Sequence, residues 1–136
     1  MKQLTTVNDD LQEVHTKFMI NDLKRWDEEL KIIDVEMFFY NDFLQASCNI
    51  VKSSENERKE ILATIAEFQK SNEEFKHEFQ EFSNKLEGIV ECDDLQCETY
   101  YVNNHTEFKE SIENHFSVYK TFKSRIFAYL QTVELR

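Results

Sequence analysis

One glycine, Gly88, and no proline interrupt a chain of 136 residues, and nothing else in the sequence limits its fold so strongly. A strand-rich domain needs turn residues every eight to twelve positions, and glycine and proline supply the backbone conformations that most turns require. A single such position excludes a sandwich, a barrel and a many-looped α/β fold. Glycine-rich phosphate loops and nucleophile elbows are excluded with them. What remains is a small number of long helices. The length suits one domain, residues 1–136, and not two.

Charge narrows the partners. Sixteen basic residues stand against 27 acidic ones, a formal net charge of −11. Such a surface repels phosphate backbones and anionic lipid, so neither nucleic acid nor a membrane is an expected partner. Acidic chains that stay disordered are poor in aromatics; here aromatics make up 13% and recur at helical spacing, so this chain folds. The most apolar stretch, residues 32–44, carries Asp34, Glu36, Asn41 and Asp42 and cannot span a bilayer. The first residues contain no apolar leader. Three cysteines, an odd number, fit a reducing compartment better than a disulfide framework, so the expected location is cytoplasmic, with Cys92 and Cys97 as reduced thiols in a turn.

Three apolar seams with alternating spacings of three and four define the helices. The first runs Met19, Leu23, Trp26, Leu30, Ile33, Met37, Tyr40, Leu44. The second is Ile61, Ile65, Phe68, Phe75, Phe79, Phe82, Leu86, Ile89, with Asn72 at one seam position, and the third is Tyr101, Phe108, Ile112, Tyr119, Phe122, Ile126, Tyr129, Val133. The first helix is expected from Asn8 or Asp9 to about Cys48. The second follows a Ser54/Glu57 capping box and runs to about Glu87, with Gly88 as a left-handed stop or as an interior residue before a turn at 91–97. The third starts near Asp94 or at an Asn104/Glu107 capping box and ends near Glu134. The expected fold is therefore all-α, an antiparallel up-down-up bundle of three long helices. A four-helix bundle, made by a break near residues 88–104 or by dimerisation, is the alternative. A mean spacing of 3.5 implies coiled-coil-like packing at shallow angles.

Inside the first apolar arc lies a polar column: His15, Asp22, Glu29 and Glu36 recur every seven residues. Buried carboxylates need partners. If the first and third helices run parallel, residue x lies level with about x + 87, give or take about four residues. That register sets Asp22 near Lys109, Glu29 near His115 and Glu36 near Lys123, an ion-pair ladder fixing the helices' alignment. The competing reading is an interior iron or zinc site drawn from His15, Asp22, Glu29, Glu36, His105 and His115. Di-iron bundles use two inward Glu-x-x-His pairs. Here Glu74 and His77 form the one pair with that spacing, and His77 points away from its seam, so no metal and no cofactor is the favoured expectation.

Val35 and Phe38 fall outside the arc that two neighbouring helices can cover, with Phe39 at its margin. Together they suggest a homo-oligomer or protein-partner surface. The segments Trp26-Asp-Glu-Glu-Leu30, Glu36-Met37, Phe43-Leu44, residues 61–68, residues 104–110 and residues 119–127 resemble a family of small uncharacterised bacterial helical-bundle proteins. The resemblance implies a long-helix bundle and no activity. The expected function is a non-enzymatic, cytoplasmic helical scaffold or interaction protein, possible as a homodimer. A metal-binding bundle acting as sensor or store is the alternative, and an acidic mimic of nucleic acid a third class.

Overall fold

The computed structural model describes the backbone of residues 2–46 and 55–132, and the side chains of 13–46 and 55–132. It is all-α, a bundle of three long helices: α1 Lys2–Ala46, α2 Glu55–Leu86 and α3 Leu95–Thr132. A short 3₁₀ segment, Glu87–Glu91, prolongs α2. There is no strand among the described residues.

Side-chain contacts give the directions. Arg58 donates to the Leu44 carbonyl and Asn72 to the Leu30 carbonyl. Fourteen residues up α2 thus correspond to fourteen residues down α1, and the two are antiparallel. Asp22 meets His105 and Glu36 meets Tyr119, each pair 83 positions apart, so α1 and α3 run parallel. Glu60 with Arg125 and Phe82 with Phe108 make α2 and α3 antiparallel.

The core follows the seams. Trp26, Leu30, Ile33, Met37, Leu44, Ile61, Ile65, Ile112 and Ile126 are at most 1% exposed, each contributing roughly 1.5–3 kcal/mol by leaving water. Aromatic rings fill the wider gaps, Phe82 stacking on Phe108 at 4.8 Å.

At the helix ends the structure departs from the sequence expectation once and chooses between the expected alternatives twice. The first helix begins by Lys2, running through Asn8 and Asp9, because no glycine or proline precedes them to stop it. Gly88 is not a left-handed stop: no described residue has a positive φ. A Cβ there would overlap the Tyr101 hydroxyl and lie 3.2 Å from its Cζ, so the glycine serves a close approach between the end of α2 and α3. The third helix starts at Leu95 and not at Asn104. Asp94 caps it, its Oδ1 accepting from the Cys97 N–H at 2.8 Å, one of the four donors that a helix start leaves open. The Ser54 capping box and the expected helix ends at Cys48 and Glu134 lie outside the described residues.

Candidate functional site

The polar column of α1 does face α3, and the structure pairs it differently from the expected ladder. Glu36 is the member whose expected partner is present: Lys123 Nζ stands 2.6 Å from Oε2. The Tyr119 hydroxyl also donates to Glu36 Oε1 at 2.9 Å. The hydrogen bond to Glu36 raises the Lys123 pKa. Burial first, and the neighbouring carboxylate second, push the Tyr119 hydroxyl well above its ordinary value.

Asp22 does not meet Lys109. Its Oδ2 lies 2.9 Å from His105 Nε2, and its Oδ1 accepts from Arg25 at 3.3 Å, while Lys109 is exposed. The reason is angular. His105 and Lys123 are eighteen residues apart, about five whole turns, so they share the face turned to α1; Lys109 lies about 40° further round, toward solvent. His15, half exposed, approaches Glu98 at 3.6 Å.

Glu29 and His115 are not paired either. Glu29 lines an open groove of about 260 Å³ between α1 and α3, with Arg25, Glu113, Phe116, Ser117 and Lys120. His115 turns instead to α2. Its ring is stacked between Phe68 and Phe75 at 4.7 and 4.3 Å, and its Nε2 lies 2.9 Å from Asn72 Oδ1.

That contact belongs to a network whose connectivity was not visible in the sequence. Asn72 is fully buried, and its amide nitrogen donates to the Leu30 carbonyl at 3.0 Å and to Asp34 Oδ1 at 2.7 Å. With both amide protons so used, its oxygen is left to accept, and His115 must donate from a protonated Nε2. Asp34 Oδ2 takes Lys76 Nζ at 2.5 Å, and the hydrogen bond to Asp34 is the main cause of a raised Lys76 pKa. Lys76, Asp34, Asn72 and His115 thus link all three helices. Burial holds His115 neutral, its pKa lowered to about 4. The available signal was Asn72 itself, an amide at a position where every neighbour in the seam is apolar.

The metal candidates are therefore dispersed: His15 sits with Glu98, Asp22 with His105, Glu36 with Tyr119 and Lys123, and His115 with Asn72. Among the described residues, no group of three or more His, Cys, Asp and Glu is placed to hold a metal ion.

Cys92 and Cys97 are joined in a disulfide, their Cα atoms 5.5 Å apart, which corrects the expectation of free turn thiols. The 3₁₀ segment ends at Glu91 and α3 starts at Leu95, so the chain turns back within disulfide reach. The odd cysteine count no longer argues for a reducing compartment, because two of the three are paired. Cys48 lies outside the described residues. No described helix is long and apolar enough to cross a membrane.

On the opposite side of α1 from the core, Val35 is 70% exposed, Phe38 64%, Phe39 59% and Ile32 53%. In a three-helix bundle α2 and α3 both sit against one half of α1, and among the described residues the other half meets no helix. Phe39 stacks on Phe43 at 6.0 Å and meets Tyr40 edge-on at 5.7 Å, which ties one edge of the patch to the seam.

No known protein family, curated protein or solved structure matches the chain.

Proposed function

We propose that this chain is a non-enzymatic helical scaffold that works by binding protein, with the outer face of α1 as its working surface. The observation that carries the reading is the contiguous exposure of Ile32, Val35, Phe38 and Phe39. Single apolar side chains on a surface are ordinary, but four large ones on one helix face form a patch of the size that marks contact sites. A second observation supports it: the ionisable groups of the interior are engaged with one another. His115, Asn72, Asp34 and Lys76 form one network, and Glu36, Tyr119 and Lys123 another. Groups tied up in this way hold helices in register.

The metal-binding alternative has less support, since His105, Asp22, Glu36 and His115 each already have a protein partner. For the compartment, the expectation of a cytoplasm loses its cysteine argument; the Cys92–Cys97 bond weighs toward an oxidising one, and alkylation of protein from its native cells followed by mass measurement decides between them.

The test of the scaffold is the size of the protein in extracts of its native cells. Wild type is expected to elute as an assembly larger than the 16.4 kDa chain, and Phe38→Asp to return to the size of the isolated bundle. Equal elution of the two at the isolated size would sink the reading.

A further inference from the structure

We infer that the occupant of the α1 face is a second copy of this chain, laid antiparallel about a two-fold axis that crosses α1 level with the Glu36–Met37 peptide. The inference rests on the interaction-face reading above and goes further by naming the partner and the register.

The argument comes from the placement of charge around the patch. At about 100° per residue, Lys31, Asp42 and Phe38 fall on one side of the exposed stripe, Ile32 and Phe39 on the other, with Val35 between. A two-fold axis lying in the contact plane and perpendicular to the helix reverses chain direction while keeping each side of the stripe against its own counterpart. Lys31 and Asp42 are equidistant from the proposed axis. They therefore face each other twice, Lys31 against the partner's Asp42 and the reverse. The same axis brings Val35 level with the partner's Phe38, and Ile32 within about one turn of the partner's Phe39. Polar meets opposite charge on one side, apolar meets apolar on the other, with no sliding of the helices needed.

The parallel arrangement fails on the same residues. A two-fold along the helices exchanges the sides of the stripe, so Lys31 would lie against the partner's Ile32 and Asp42 near the partner's Phe39, leaving both charges without an opposite charge across the contact. Lys31 is available for the antiparallel pairing, because its present partner is Asp27, an i,i−4 contact at 2.8 Å with the lysine side chain 69% exposed, of a kind that contributes little.

Area sets the strength. The four apolar side chains expose on the order of 500 Å², so two copies would bury about 1,000 Å², the lower bound for a specific interface. Each copy carries −11, which opposes approach. The dimer is therefore a weak, reversible one, with a dissociation constant on the order of micromolar.

Sedimentation equilibrium on the purified full chain, over about 1–500 µM, tests it, with circular dichroism confirming that each variant keeps its helices. Wild type is expected to rise from 16.4 kDa toward twice that mass, and Val35→Asp to remain at the lower value throughout. Lys31→Glu creates two like-charge contacts per dimer and should weaken association about tenfold, as should Asp42→Lys; the double reversal should return to within about threefold of wild type. A wild type that stays at the single-chain mass overturns the second copy as occupant and leaves the interaction face to be judged by the extract experiment. A dimer indifferent to Val35→Asp removes this face from the contact altogether. A double reversal no better than either single one overturns the antiparallel register.

Discussion

Asn72 is the residue on which the packing turns. It occupies a seam position in α2 and is fully buried, so its amide is tolerable only if every hydrogen-bonding atom is used. The main-chain carbonyl of Leu30, the carboxylate of Asp34 and the imidazole of His115 use them. A polar residue at one seam position, satisfied in a single alignment, penalises every other alignment of the helices. This arrangement has a pH signature. The folded chain holds His115 neutral, with a pKa of about 4, against about 6.5 in an unfolded chain. Between those values the unfolded state binds the extra proton. The contribution is thus fully present above pH 6.5 and is lost as pH falls through 4. From these two values, wild type should lose about 2 kcal/mol of this contribution between pH 7 and pH 5. His115→Gln, which can still donate to Asn72 but does not titrate, should lack that part of the slope. Urea unfolding of both proteins at the two pH values measures the difference, and parallel slopes would refute the assignment.

At the scale of the elements, the least regular stretch joins α2 to α3, where a 3₁₀ segment, a disulfide and an Asp94 cap lie within residues 87–97. Gly88 is helical in backbone terms, and an alanine there would ordinarily favour a helix by roughly 1 kcal/mol. The Tyr101 hydroxyl reverses that sign, since the added methyl has no room. Gly88→Ala is expected to destabilise by about 1–2 kcal/mol, and Tyr101→Phe, by removing the hydroxyl, to recover part of the loss in the double variant. Thermal or urea unfolding of the three variants gives the coupling; additive effects would show that the two residues do not meet. This junction was also the least legible part of the sequence. The seams of α1, α2 and α3 were readable because each long apolar stripe repeats the same signal many times. Gly88 appears once, and whether it stops a helix or admits a tyrosine depends on a side chain thirteen positions away. The pairing of Cys92 with Cys97 likewise depended on where the 3₁₀ segment ended, which no periodicity reveals. The ladder was half readable for a related reason. Level along the bundle follows from residue number, and Glu36 meets Lys123 accordingly. Which side of α3 a residue occupies depends on an angle that accumulates over many turns. Lys109 misses Asp22 and His115 misses Glu29 on that angle, by well under half a turn.

For the molecule as a whole, the excess acid is unevenly placed, with ten acidic against five basic residues on α1 and four of each on α3, and two electrostatic effects of salt compete. Screening weakens the attractive pairs, Glu36–Lys123, Asp34–Lys76 and Arg25–Glu113 among them. It also relieves the self-repulsion of a chain at −11. The pairs are short, and the strongest are partly buried, so they lie well inside a Debye length of about 8–10 Å and are screened little. The repulsion is a sum over many carboxylates spread along helices roughly 50–70 Å long, most of them separated by more than that length and therefore screened almost fully. Relief should exceed loss. The midpoint of thermal unfolding is expected to rise by a few degrees between about 20 and 300 mM sodium chloride, an effect of roughly 1 kcal/mol for a domain of this size. The measurement belongs at low micromolar protein, where the proposed self-association contributes least, and at pH 7, where His115 is already neutral. A falling midpoint would mean that the interhelical ion pairs outweigh the excess of acid, and that the charge imbalance serves contact with something outside the bundle at little cost to the fold. A rising one would mean that the excess acid is a standing strain on the molecule, of a kind that Lys123 and Lys76 only locally offset.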